Sequence, residues 1–290
     1  MNVFEMLITT PLGYIISLIY DLVQNYGWAV IIFTIIIKLI IAPLSVKQHK
    51  SMSKMQKAKP LIEHIQKKYK DDPNRLNEET MKIYKDLGIS PAGGCLPLLL
   101  QFPIIIGLYQ VINKPLSFIL HLPQETVSKL IEMYGEGTKN VASQIAVCRN
   151  LNPQEVMDKL GIAVEKLNFD FFGLDLSYNP TLSYLNWYWI IPVLAAATAY
   201  LSSYITQKIQ GTAQAQQGSM KTMNIIMPLM SAYFCFILPA GVGIYWIMSN
   251  IMQIIQTVVL TKVYSAKDQE EEIDVDEYFK KERNNRKKHK

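Results

Sequence analysis

The chain has 290 residues, 29 basic and 24 acidic side chains, a net charge of +5 and a mean hydropathy of +0.12. No Lys or Arg precedes Lys38, and no charged residue lies between Lys221 and Lys262, a distribution that a bilayer requires and that excludes an ordinary soluble fold. The three cysteines are odd in number and have no metal-ligand spacing, which argues against a disulfide framework or a cysteine metal site.

The N-terminal segment, residues 1–26, is apolar but short and interrupted by polar residues such as Asp21 and Asn25. Its apolar residues recur at helical spacing, which predicts an amphipathic helix lying in the membrane interface. A first full transmembrane span is the alternative interpretation. The segment lacks the basic start of a conventional secretory signal peptide.

Residues 27–44 form the first predicted transmembrane helix, with Pro43 marking its end. Only Thr34 and Lys38 interrupt its apolar core, and a charge at that depth costs about 2.5–3.5 kcal/mol. Lys38 either extends to the headgroups or faces a water-filled cavity inside the bundle. No predicted span contains an acidic residue, so the pattern favours a site that attracts negative charge transiently.

The composition reverses in residues 45–90, which hold eleven basic residues and two amphipathic runs separated by a turn at residues 71–74. This predicts a cytoplasmic helical hairpin, and Pro60 should kink its first arm or start a new helix.

Four further spans follow along the chain. The second covers residues 91–112, and the third covers residues 187–206, opening with a Trp-Tyr-Trp sequence typical of the membrane interface. The 36 uncharged residues 225–260 correspond to about 54 Å of helix, nearly twice a ~30 Å hydrocarbon core. They therefore predict a fourth and a fifth span joined by a turn at residues 239–243.

The segments between the spans are polar. Residues 113–186 predict a small extracytoplasmic region with helices over residues 125–134 and 153–160, and residues 207–224 form a loop. The charged tail, residues 261–290, is expected to be disordered when free. The positive-inside rule places the hairpin, the 207–224 loop and the tail in the cytoplasm and the N-terminus outside.

Several polar side chains at membrane depth could line one cavity with Lys38. They are Thr34, Gln101, Thr206, Gln207, Asn250 and Gln253. Hydrogen bonding between helices is an equally good explanation for any one of them. The four histidines are dispersed and no phosphate-binding loop occurs, so neither enzymatic activity nor a cofactor or metal is expected.

Four stretches carry a resemblance to a known family. They are IIFTIIIKLIIAPLSVKQHKSMSKMQ (31–56), YKDDPNRLNEETMKIYKDLGISPAGGCLPLLLQFPIIIGLY (69–109), SSYITQK (202–208) and IIMPLMSAYFCFILPAGVGIYWIMSNIMQIIQT (225–257). On these residues the chain resembles the YidC family of membrane protein insertases, in its short five-span form. The predicted fold class is accordingly all-α: a polytopic membrane protein with five transmembrane helices, an N-terminal interfacial helix and a cytoplasmic hairpin.

The resemblance implies an insertase and chaperone of the bacterial plasma membrane that works without ATP hydrolysis. Its hydrophilic groove would open to the cytoplasm and to lipid and be closed to the outside. Lys38 falls at the position of the family's basic residue, Trp246 matches a groove aromatic, and Thr206 or Gln207 matches a groove polar residue. The implied partners are nascent membrane proteins, membrane lipids, the ribosome through the basic tail, and the Sec translocon. No recognition of a nucleic-acid sequence is implied.

Two features depart from the family pattern: Lys replaces the usual Arg at position 38, and the 113–186 loop is longer than in the short form. Lys keeps the charge but lacks the planar guanidinium. The alternative function is a secondary transporter that uses Lys38 as a substrate or coupling site, although the sequence lacks the internal repeats usual in transporters. A purely structural scaffold would not need a solvated lysine there.

Overall fold

The computed structural model describes residues 3–89, 96–135, 143–181, 186–210, 219–265 and 274–288. The α-helices of these residues are α1 (Thr10–Val23), α2 (Tyr26–Lys57), α3 (Lys59–Lys68), α4 (Pro73–Asp86), α5 (Leu96–Asn113), α6 (Pro115–Phe118), α7 (Gln124–Tyr134), α8 (Ser143–Asn150), α9 (Pro153–Leu160), α10 (Ile190–Gln210), α11 (Ser219–Ile237), α12 (Ala240–Ser265) and α13 (Val275–Lys288). A π-helical turn (Glu5–Thr9) precedes α1, a 3-10 turn (Trp187–Trp189) precedes α10, and two short strands, β1 (Asp170–Phe171) and β2 (Leu174–Asp175), form one antiparallel hairpin.

The chain divides into two compact units. Unit 1 comprises Met1–Ile40, Leu99–Leu201 and Ile225–Met252. Unit 2 comprises Ile41–Leu98, Ser202–Asn224 and Gln253–Lys290.

Four helical segments of the described residues are long and apolar enough to cross a membrane. They are Glu5–Val23, Tyr26–Lys57, Trp187–Ile209 and Ala240–Tyr264, with a shorter apolar stretch at Pro228–Ile237. The predicted all-α, polytopic membrane fold is confirmed. The predicted second span is represented by α5, and residues 91–95 at its start lie outside the described part of the chain.

The N-terminal helical segment of unit 1 contacts the end of α5 and the short helix α6 that follows it. Glu5 forms an ion pair of 2.8 Å with Lys114, one residue beyond that end. Three turns later the Ser17 hydroxyl donates to the carbonyl of Ile119 at 2.9 Å. A β-carbon on Gly107 would meet side chains of this helix at 2.8 and 2.9 Å. Both ends of the segment are thus held near the same end of α5.

Residues 168–179, which include the β-hairpin, hold together the ends of several helices of unit 1, and we call them the clasp. The first N–H of α2, on Tyr26, donates to the carbonyl of Asn168 at 2.9 Å. The first two N–H groups of α12, on Ala240 and Gly241, donate to clasp carbonyls at 2.9 and 3.1 Å. The last carbonyl of α11 accepts from the Asn179 amide at 2.7 Å. Helix ends leave such groups without intrahelical partners, so the clasp acts as a shared cap.

The clasp itself is compact. Its strands pair Asp170 with Asp175 and Phe171 with Leu174, and a two-residue turn connects them. Both turn residues, Phe172 and Gly173, have positive φ (52° and 77°), as the tight hairpin turn that follows strand twist requires. The clasp also contacts the 3-10 turn that precedes α10, because the Asp175 N–H donates to the Tyr188 hydroxyl at 3.1 Å.

The predicted hairpin of unit 2 is held by apolar side chains. Pro60 lies in the first turn of α3, so the new-helix prediction is confirmed. Asp72 caps α4 by accepting from the Arg75 N–H at 3.1 Å. The buried cluster comprises Ala58, Leu61, Ile62, Ile65, Ile83 and Ile89.

The tail is not disordered over residues 275–288, which corrects the prediction. Those residues form α13, and Val275, Tyr278 and Phe279 pack on the hairpin cluster. The three residues are spaced i, i+3, i+4, which gives one apolar stripe on an otherwise charged helix. The average composition of the tail conceals that stripe.

Two helix boundaries differ from the prediction. Pro43 lies inside α2, which continues to Lys57, because membrane helices tolerate proline within their length. The break before α12 is confined to residues 238–239, whereas Gly241 and Gly243 are already helical. These glycines serve close packing instead: a β-carbon on Gly243 would lie 2.3 Å from Ile191 Cγ2.

Candidate functional site

Lys38 lies on α2, about 18 Å along the helix axis from Tyr26. Its side chain is half-buried. Thr34 is one turn earlier on the same face, fully buried, and its hydroxyl donates to the Val30 carbonyl at 2.7 Å. The Thr34 hydroxyl is therefore satisfied within its own helix, and Lys38 contributes the formal charge of this face.

Gln101 joins α5 to α12. Its amide donates to the hydroxyl of Tyr245, a side chain that is only 2% exposed, and the same hydroxyl is hydrogen-bonded to Ser249. This polar chain crosses the apolar interior of unit 1. Because each buried polar group has a partner, the chain fixes α5 against α12 at low energetic cost.

Asn250 joins α12 to α10. Its amide donates to the Thr198 hydroxyl at 3.2 Å and to the Ala195 carbonyl at 3.5 Å. Trp246, one turn earlier, is half-buried and stacks on Phe234 of α11 with ring centroids 5.8 Å apart. The two side chains bring polar and aromatic groups together on one stretch of α12.

The remaining predicted residues belong to unit 2. Gln207 donates to the Ser203 hydroxyl at 2.8 Å, and Gln253 donates to the Thr257 hydroxyl at 3.5 Å. Thr206 is half-buried. Both glutamine bonds lie within one helix, on α10 and on α12 respectively.

The eight predicted residues therefore divide between the units. Unit 1 holds Lys38, Thr34, Gln101, Trp246 and Asn250. Unit 2 holds the other three, Thr206, Gln207 and Gln253. Within unit 1, Gln101 of α5 is hydrogen-bonded to Tyr245 of α12. Asn250, five residues further along α12, is hydrogen-bonded to Thr198 of α10.

Sequence reasoning missed two contributors to this site. Thr198, the partner of Asn250, lies in an Ala-rich run of α10 that gave no signal. Residues 168–179 lie in the segment predicted as a small extracytoplasmic region, and the clasp was missed because it acts mainly through backbone groups, which carry no sequence pattern. Gly173 is the residue of this stretch whose type indicates a tight turn.

Within unit 1, α8 packs against the clasp. Arg149 of α8 lies over the Tyr178 ring, with its guanidinium carbon 3.8 Å from the centroid. Cys148 is 1% exposed, and burial raises the pKa of its thiol above the usual range, so this cysteine acts as a small apolar side chain. No group of three His, Cys, Asp or Glu side chains suited to a metal ion occurs among the residues that the structure describes.

A family model described as 60Kd inner membrane protein matches residues 18–268. Among curated proteins, the chain is similar to a membrane protein insertase YidC from Caldanaerobacter subterraneus subsp. tengcongensis, with 31% identity over 87% of this chain and 92% of that protein. A protein of the same description from Clostridium perfringens is 31% identical over 94% of this chain and 96% of its own length. A longer one, from Prosthecochloris aestuarii, is 32% identical, and the match covers only 38% of it.

A solved structure described as an active YidC insertase with the first transmembrane domain resolved has a similar fold. The TM-score is 0.52 at 25% sequence identity, and the match covers 88% of this chain and 46% of that chain. The matched relatives thus include proteins of about the same length and proteins more than twice as long.

Proposed function

Because the chain belongs to the YidC family of membrane protein insertases, we propose that it receives nascent membrane proteins in a hydrophilic, positively charged groove and releases their apolar segments into the bilayer. The observation that supports the groove most directly is Lys38, a half-buried cation within a long apolar helix. A charge at that depth lowers the electrostatic cost of drawing an acidic segment part of the way across the membrane.

Within unit 1, Gln101, Trp246 and Asn250 would provide a polar and aromatic lining, with the buried Thr34 one turn before Lys38. Thr206, Gln207 and Gln253 of unit 2 are the further polar residues of the proposal. Within unit 1 the clasp closes one end of the helices through bonded helix termini. That closure suits a site that admits substrate from the opposite end and retains the permeability barrier.

We propose that the clasp end faces the outside of the cell. The positive-inside rule supports this orientation, since the basic 45–90 segment then lies in the cytoplasm. At the clasp α2 and α12 begin and α11 ends, as expected if successive spans alternate in direction. The contacts of Glu5 and Ser17 with residues near one end of α5 support an interfacial placement of the N-terminal helix over a spanning one.

In this proposal the hairpin captures substrate and the basic end of the chain contacts the ribosome, while the Sec translocon and membrane lipids are further partners. The support for the ribosome contact is the group of basic residues on α13 and just beyond it. The comparisons give no support to the alternative of a secondary transporter, since each named relative is described as an insertase.

The test is insertion of a small phage-coat-like protein into vesicles containing the reconstituted full-length chain. Lys38→Glu should reduce insertion of a substrate with an acidic translocated segment by on the order of tenfold, which corresponds to about 1.4 kcal/mol. Lys38→Ala should have a smaller effect and Lys38→Arg almost none.

The matched control is a substrate whose translocated segment is basic. With Lys38→Glu its insertion should be unchanged or improved. Equal insertion of the acidic substrate by wild type and Lys38→Glu would exclude electrostatic capture. A solute flux without protein insertion would instead favour the transporter.

A further inference from the structure

The tip of the clasp exposes an aromatic side chain in an unfavourable conformation. Phe172 is 82% exposed and has φ of 52°. Positive φ is uncommon for residues other than Gly, Asn and Asp, and a bulky side chain pays a steric penalty there. Most of the apolar surface of this ring is left uncovered by the protein and is available to a partner outside the chain.

Phe172 belongs to a larger aromatic surface. Its ring contacts Phe171 edge-on at a centroid distance of 4.7 Å, and Phe171 contacts Trp28 of α2 at 5.7 Å. Trp28 is 48% exposed, and Trp187, at the start of the α10 span, is 80% exposed. Phe171 is fixed in place, because it packs directly on Gly27, where a β-carbon would lie 2.3 Å from its ring.

The hairpin presents two chemically different faces. Phe171 and Leu174 are paired on one face, and Asp170 and Asp175 are paired on the other, because successive strand residues point to opposite sides. The charged and the apolar side chains therefore lie on opposite faces of the hairpin. Such separation suits a position at a boundary between water and hydrocarbon.

The contacts of the hairpin identify this boundary as one end of the membrane-crossing helices. The clasp is hydrogen-bonded to the first residues of α2 and α12 and to Tyr188 at the start of the α10 span. The aromatic surface therefore lies where membrane-crossing helices begin. Aromatic side chains with this placement are characteristic of the membrane–water interface.

We propose that the clasp inserts Phe172, with Phe171 and Trp28, into the headgroup and upper acyl region of the adjacent leaflet, so that lipid is the partner of this surface. The 113–186 segment is then anchored to the membrane at its hairpin as well as at its two ends. This inference depends on the membrane location of the chain and is independent of its role in insertion.

The test uses full-length Phe172→Trp in phosphatidylcholine vesicles whose lipids carry bromine high on the acyl chain. The quantity measured is the tryptophan fluorescence of the variant minus that of the wild-type protein in the same vesicles. The control is Met157→Trp, an exposed position on α9 that is followed by Asp158. The signal added by Phe172→Trp should fall roughly two-fold or more, as expected for a ring within the interface, and bromine near the acyl terminus should quench it less. The signal added by Met157→Trp should be unaffected.

Equal quenching at both positions, or quenching at neither, would overturn the proposal. Trp keeps the steric class of Phe at the positive-φ position, so the turn should persist. An unchanged midpoint of thermal unfolding of the variant in detergent verifies this before the lipid experiment.

Discussion

The clasp of unit 1 and the hairpin of unit 2 are held together by different forces. The clasp is held by hydrogen bonds to helix termini and by glycines that admit neighbouring side chains. The hairpin is held by an apolar cluster on amphipathic helices, with Leu61, Ile65 and Ile83 at most 2% exposed. Directional bonds and close steric contacts define one geometry, whereas apolar cluster packing tolerates rearrangement. The clasp is suited to a fixed seal and the hairpin to a surface that accepts varied partners.

The largest test of this contrast enlarges Gly27. Its β-carbon would lie 2.3 Å from Phe171 Cδ2, so Gly27→Val should overpack the clasp and destabilise the protein by about 3 kcal/mol. Thermal unfolding in detergent measures the effect. Adding Phe171→Ala should recover much of the lost stability, and failure of this double variant to do so would assign the effect to the helix start and not to the clasp contact.

The second test removes the aromatic anchor of α13. Phe279 packs on the hairpin cluster and its ring lies 4.8 Å from that of His64. Phe279→Ala should weaken docking of the helix by about 2 kcal/mol, which corresponds to about thirty-fold faster tryptic cleavage of the tail if cleavage follows opening. The neighbouring Lys280→Ala, at an exposed position, should leave the rate almost unchanged apart from the lost cleavage site. If Phe279→Ala also accelerated tryptic cleavage within unit 1, the stability of the two regions would not be independent.

The third test removes one directional bond from the clasp. Asn179→Ala leaves the terminal carbonyl of α11, on Ile237, without its 2.7 Å partner. Since this site is exposed and water can replace the amide, the expected loss is about 1 kcal/mol. Hydrogen exchange of the clasp amides should increase, while exchange in the hairpin should not. An effect on both regions would contradict the proposed independence.

The smallest effect on stability is expected from a substitution on α9, which belongs to neither region. Lys159 and Tyr134 donate to the Glu155 carboxylate at 2.7 and 2.8 Å and lower the pKa of Glu155. A lowered carboxyl pKa adds stability that is present above the usual carboxyl pKa and is lost as pH falls through the lowered one. Glu155→Gln should therefore be slightly less stable than wild type at neutral pH and equal to it in acid. A difference that persists in acid would have another cause.

The sequence predicted the hairpin well because its stability comes from side chains with a helical period. The turn near Asp72, the helix start at Pro60 and the 125–134 and 153–160 helices were all predicted, and the structure has them. The clasp was not predicted, since backbone hydrogen bonds between distant segments leave no periodic signal. Of the candidate site, the polar residues could be identified from the sequence, but the partners on other helices, Tyr245 for Gln101 and Thr198 for Asn250, could not. Pairing depends on helix rotation, which composition does not determine.

The docking of α13 has a consequence for the order of biosynthesis. The hairpin cluster reaches its last internal residue at Ile89, whereas the part of its cover that α13 supplies begins at Val275. At the usual elongation rates of about 5–20 residues per second, that interval lasts roughly 10–40 s. During every round of translation, the part of the hairpin face that α13 covers is therefore exposed for many seconds. In that interval the emerging chain presents an apolar surface that favours aggregation.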